Sequence, residues 1–78
     1  MTEQMDGAQT MTIAEAIERH RGLDQNYIMR LCIKGRKLMV EYGARENIPA
    51  KEMARALFGK KMGKYWHIPV SELNRLFL

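Results

Sequence analysis

The chain has 78 residues, 46% of them hydrophobic and 28% charged, with 13 Lys plus Arg against 9 Asp plus Glu and a single cysteine. So short a chain buries only about 60–65% of its unfolded surface, which excludes two separate cores, and so apolar a composition excludes a disordered chain. Cys32 alone cannot form an intramolecular disulfide, which excludes a secreted disulfide scaffold and makes the cytoplasm the expected compartment. No run approaches the ~18 apolar residues of a membrane span, and the N-terminus MTEQMDGAQT has no apolar core of a signal peptide, so no membrane partner is expected.

In chain order, residues 1–10 lack periodicity and read as a mobile N-terminal tail, leaving 11–78 as the domain. Thr12-Ile13-Ala14-Glu15 has the form of a capping box, so a helix is expected from Ile13 to about His20, with Ile13, Ala16 and Ile17 on one face. Arg21-Gly22 breaks it. Asp24 is a good N-cap, and Leu23 can staple onto Ile28, so a second helix is expected from Gln25 to Lys34, ending at Gly35. Helical spacing puts Ile28, Leu31 and Cys32 inside and Asn26, Arg30 and Ile33 outside.

Beyond Gly35 the periodicity changes to two, since Leu38, Val40 and Tyr42 alternate with Lys37, Met39 and Glu41, and a strand is expected. Pro49 suits a first helical turn, and AKEMARALF reads as a third helix ending at Gly59. Lys60 to Lys64 reads as a basic loop. Tyr65 to Ile68 alternates again and is expected to pair with the first strand across roughly twenty residues, a separation far above the ~2–5 residues of most hairpins. Trp66 and Ile68 should point inward and Tyr65 and His67 outward. From Pro69, Val70, Leu73, Leu76 and Phe77 form the apolar stripe of a closing helix.

Charge is unevenly placed. Between Arg30 and Lys64 ten basic residues face three acids, the footprint of a polyanion partner, although a solubilising surface would also be basic. Catalysis finds no support: His20 and His67 have no Cys or carboxylate at ligand spacing, Cys32 falls on an inner helical face, and no phosphate-loop pattern accompanies Gly59 and Gly63. No enzyme, metal or cofactor is expected. The seven methionines read mostly as gap fillers, with an adaptable binding surface as the minority reading.

Two short helices joined by a tight turn suggest a helix-turn-helix, in which the second helix presents outward residues to base edges; an ordinary solvent-facing polar surface would look similar. The order of TIAEAIERHRGLDQNYIMRLCIKGRKL and then GKYWHIPVSELNRLFL resembles the small winged helix-turn-helix domains of the excisionase and MerR-like type. Thr12, Glu15, Ala16, Lys34, Gly35, Gly63, Trp66, Ile68, Pro69, Ser71, Glu72, Leu73 and Arg75 fit that pattern, over about 40 residues. The sequence departs from it in a longer first turn and in residues 43–62, which stand as a helical insertion where the family has a short wing.

The resemblance implies a mainly α fold with a small β-hairpin and sequence-specific binding of double-stranded DNA, as a recombination directionality factor or a small transcriptional regulator. Gln25, Asn26, Met29, Arg30, Ile33 and Lys34 are the expected base contacts. Arg36, Lys37, Lys60, Lys61 and Lys64 are the expected backbone contacts. An integrase-type recombinase or a second copy of the chain would be the protein partner. The alternative reading is a protein-interaction adaptor that uses the insert helix and its methionines.

Overall fold

The computed structural model describes residues 9–77. The chain runs β1 (Thr10–Met11), α1 (Ile13–Arg19), α2 (Gln25–Tyr42), a 3-10 turn (Arg45–Asn47), α3 (Ala50–Met53), β2 (Lys60–Met62), β3 (Tyr65–Pro69) and α4 (Val70–Phe77). This is a mixed α/β fold: the described residues form four helices and one three-stranded antiparallel sheet of order β1-β3-β2. Of the expected tail, residues 1–8 lie outside the described residues, and Thr10 belongs to β1, opposite Pro69.

The helix starts follow their local chemistry. The Thr12 amide donates to Glu15 Oε1 at 2.9 Å while the Glu15 amide donates to Thr12 Oγ1 at 3.3 Å, a reciprocal capping box. At α2 the Asp24 carboxylate accepts the amides of Asn26 and Tyr27 at 2.9 and 3.2 Å. Between the two helices Gly22 takes a φ of +98°, a conformation open to glycine because it lacks a Cβ.

Three expectations are corrected. The strand expected over 38–42 is the second half of α2, an 18-residue helix that ends at Gly43, whose amide donates to Met39 O. Its buried stripe is Ile28, Leu31, Cys32, Gly35 and Leu38, a helical spacing, while Val40 of the supposed alternating face is 80% exposed. Gly35 therefore ends nothing. It lies where α2 meets the Leu57 backbone, and a Cβ there would collide with the Leu57 carbonyl.

The hairpin is likewise local. β2 and β3 pair as Lys60↔His67, Lys61↔Trp66 and Met62↔Tyr65 around the two-residue connection Gly63-Lys64. Gly63 has a φ of +65° and among the described residues no non-glycine has a positive φ, the arrangement of a type II′ turn. The expected basic loop is thus strand and turn, and the insertion lies before the hairpin instead of inside it.

The third correction concerns the insert helix, which has four residues instead of nine. It stops at Met53, whose carbonyl accepts from Arg75 Nη1, and Arg75 Nη2 donates to Ala56 O just beyond the helix, both at 2.8 Å. The Leu57 amide turns instead to Leu31 O at 3.1 Å, tying the returning chain to α2.

The main core joins Ala16, Ile28, Leu31, Cys32, Leu57, Trp66, Ile68 and Leu73. Trp66 and Ile68 point inward as expected, with Tyr65 exposed, and His67 is half-buried. A smaller cluster of Leu38, Ile48 and Ala56, flanked by Tyr42, Met53 and Phe58, roots the extended end of α2. Glu72, on the closing helix, is only 3% exposed and joins Arg45, Arg75 and the Phe58 amide.

Candidate nucleic-acid interface

Because the inner stripe of α2 is buried, its remaining residues form an exposed outer face, and the Asp24 cap fixes where that face begins. Asn26, Arg30 and Lys37 are exposed there, Met29 is half-buried, and Ile33 is 41% exposed. The hairpin stands beside this face, anchored by Trp66, which is 6% exposed. Opposite strand positions share a sheet face, so the pairing of Lys61 with Trp66 aims the lysine to the α2 side.

Between α2 and the hairpin lies an open trough of about 540 Å³. Met29, Ile33, Val40 and Trp66 supply its apolar lining, and Arg36, Lys37, Lys61 and Lys64 its cations, with Glu41 the one carboxylate that lines it. A smaller recess of about 330 Å³ shares Met29, Lys64 and Trp66 with the trough and adds Gln25, Tyr65 and the start of α1. The two adjoin at Met29, Lys64 and Trp66, and their linings together run from the first turn of α2 to Val40.

Seven of the eleven expected contact residues therefore line one surface: Gln25, Met29, Ile33, Arg36, Lys37, Lys61 and Lys64. The other four are placed differently. Asn26 is exposed at the first turn of α2 and lines no described cavity. Arg30 and Lys34 lie on the flank of α2 that looks toward the insertion, with Glu41 and Glu52. Lys34 Nζ is 3.1 Å from Glu52 Oε1, and that hydrogen bond, with the charge of Lys34, holds the Glu52 carboxyl below its ordinary range. Lys60, one residue from Lys61 in a strand, faces the opposite side of the sheet, where it lines a second basin with Met39, Phe58 and Met62.

Sequence reasoning missed Trp66 and Val40 as lining residues and missed Glu52 as the partner of Lys34. The first two were within reach, because Trp66 lies opposite Lys61 once the Gly63-Lys64 turn sets the register. The ion pair joins residues 18 positions apart on separate elements and has no local signature.

Among the described residues no group of His, Cys, Asp and Glu is placed to hold a metal ion. The buried Cys32 thiol is pushed up to about 12 by desolvation and stays protonated at neutral pH. No described helix is long and apolar enough to cross a membrane. The trough itself offers four flexible or planar cations around an apolar floor, a surface suited to a ligand that carries anions along its edges. Comparison with protein families, with curated proteins and with solved structures found no match for this chain.

Proposed function

We propose that the chain is a winged helix-turn-helix protein that binds double-stranded DNA without chemistry, in the cytoplasm, as an excisionase-like directionality factor or a small transcriptional regulator. The observation that carries this reading is the trough in which the outer face of α2 meets the cations of the hairpin. In this reading α1 and α2 are the helix-turn-helix and the outer face of α2 lies in the major groove. The hairpin is the wing, and its Lys61 and Lys64 meet the flanking phosphates. An integrase-type recombinase or a second copy of the chain is the proposed protein partner.

Two substitutions separate the roles. Arg30→Ala should cost about 1–3 kcal/mol at one preferred base pair and relax sequence choice there. Lys61→Ala should weaken all duplexes alike and make the salt dependence shallower by about 0.9 in slope, and Lys64→Ala should add a similar change. Binding titrations at several salt concentrations on a selected site and its single-base variants measure both; identical behaviour of the Arg30 and Lys61 variants would contradict the division.

Glu52 should restrain binding by holding Lys34. Glu52→Gln is expected to tighten duplex binding about threefold and to steepen the salt slope by roughly 0.9, as one more cation becomes free for a phosphate. Unchanged affinity and slope in the same titration would show that Lys34 lies off the interface.

The protein-adaptor reading survives in altered form. α3 is too short to serve as a docking helix and Met53 packs on the smaller core cluster, but Met39 and Met62 line the second basin, behind the hairpin, with Phe58 and Pro69. A partner seated there would share Arg36 with the trough.

A further inference from the structure

We propose that the α2 face reads thymine methyl groups, with Met29 and Ile33 as the reading side chains; the inference rests on the duplex-binding reading above. Its starting point is an apolar line on an otherwise charged surface. Met29, Ile33 and Val40 follow one another along the side of α2 that faces the hairpin, with Trp66 beside them. Ile33 is 41% and Val40 is 80% exposed and Met29 is half-buried, so the described chain leaves Ile33 and Val40 open and Met29 partly so.

The surroundings select the occupant. Arg36, Lys37, Lys61 and Lys64 border the apolar line, against Glu41 alone. A fitting partner must present apolar groups between rows of anions. The major groove of duplex DNA has that form: phosphates run along both edges, and the C5-methyl of thymine is the apolar group on its base edges.

Spacing adds a constraint. Residues one helical turn apart, as Met29 and Ile33 are, lie about 6 Å apart along the axis. Two base steps on one strand span about 7 Å. With α2 lying along the groove, the two side chains therefore reach methyls two steps apart, which makes the preferred element a thymine, any base, then a thymine on one strand. Neither contact depends on a hydrogen bond, so the preference differs in kind from one set by Asn26 or Arg30.

The test uses the full chain and a randomised duplex pool. Enriched duplexes are expected to carry thymines two steps apart. Uracil in place of either thymine removes only the methyl and leaves pairing and phosphates intact. Each replacement should weaken binding roughly fourfold, the worth of about one buried methyl, and both together roughly fifteenfold. Ile33→Ala, at an exposed position that the fold does not need, should lose affinity for the thymine duplex and shrink its advantage over the uracil duplex without altering the salt slope. Tight, salt-dependent binding that is equal for thymine and uracil duplexes would overturn the methyl reading and leave duplex binding standing. Failure to bind any duplex at low salt would remove the duplex-binding reading, and this one with it.

Discussion

Gly35→Ala should destabilise the protein by about 3 kcal/mol, although alanine is the better helix former. In an unobstructed helix interior the substitution would be worth roughly 1 kcal/mol of stabilisation. Here the added Cβ falls against the Leu57 carbonyl, a backbone atom that cannot rotate away. Relief requires the returning chain to lift from α2, which strains or breaks the hydrogen bond from the Leu57 amide to Leu31 O. Overpacking costs about 1–3 kcal/mol, and a clash with backbone belongs at the upper end; the lost bond, roughly 1 kcal/mol more, offsets the propensity gain of the same size and leaves a net loss of about 3. For a domain of this size the midpoint of thermal unfolding should fall by at least ~12 °C. A variant more stable than the parent would show that α2 and the 54–58 segment do not meet as described.

Glu72→Ala should cost a similar amount, about 3 kcal/mol, for an electrostatic reason. The carboxylate accepts from Arg45 and Arg75 at 2.6 Å each and from the Phe58 amide at 3.2 Å, and both guanidinium groups also lie over the Phe58 ring. Removing it leaves the Phe58 amide, at the joint that fixes the insertion to the closing helix, without its acceptor. It also takes the buried counter-charge from Arg45 and from Arg75, which keeps only its bonds to the Met53 and Ala56 carbonyls. Glu72→Gln, which keeps an acceptor, should cost about half as much. Burial pushes the Glu72 carboxyl upward, but hydrogen bonds from Arg75, the Phe58 amide and Arg45 outweigh it, so the folded-state value lies below the ordinary range. A group held low in the folded state stabilises at every pH above its unfolded value of about 4.3, and that stabilisation is lost as pH falls through the folded value. Unfolding midpoints followed from pH 7 downward should therefore drop more steeply below about pH 4 in the parent than in Glu72→Gln. Parallel curves would assign the joint to packing alone.

What could be read in the sequence was decided locally. Thr12 with Glu15, Asp24 before α2, and the alternation that turns Trp66 and Ile68 inward each need only neighbours within four residues, and each is found as expected. The second half of α2 was misread because Leu38, Val40 and Tyr42 satisfy a period of two, while the spacing from Leu31 through Gly35 to Leu38 satisfies a helical one equally well in so short a window. The deciding contact, Gly35 against Leu57, joins residues far apart in sequence. The early end of α3 was also hidden, since the Arg75 contacts at Met53 and Ala56 come from far along the chain. A strand over 38–42 leaves Gly63-Lys64 without meaning as a two-residue turn and hides the register that puts Lys61 on one face and Lys60 on the other.

The candidate surface was legible in part for the same reason. Helical geometry alone places Asn26, Arg30 and Ile33 on the outside of α2 with Met29 flanking, and composition alone marks Lys61 and Lys64 as basic. Their convergence on one trough needed the hairpin position, and the pairing of Lys34 with Glu52 needed the insertion.

The central claim is tested most directly by titrating the full chain into a labelled randomised duplex and following fluorescence anisotropy at 50 and 200 mM salt. Binding at low salt that weakens at least ~40-fold at the higher concentration is the expected result, since three or more phosphates neutralised by the trough cations give a slope of about −2.7 or steeper. The contradicting result is no binding to the duplex at 50 mM, or binding equally strong at both salt concentrations.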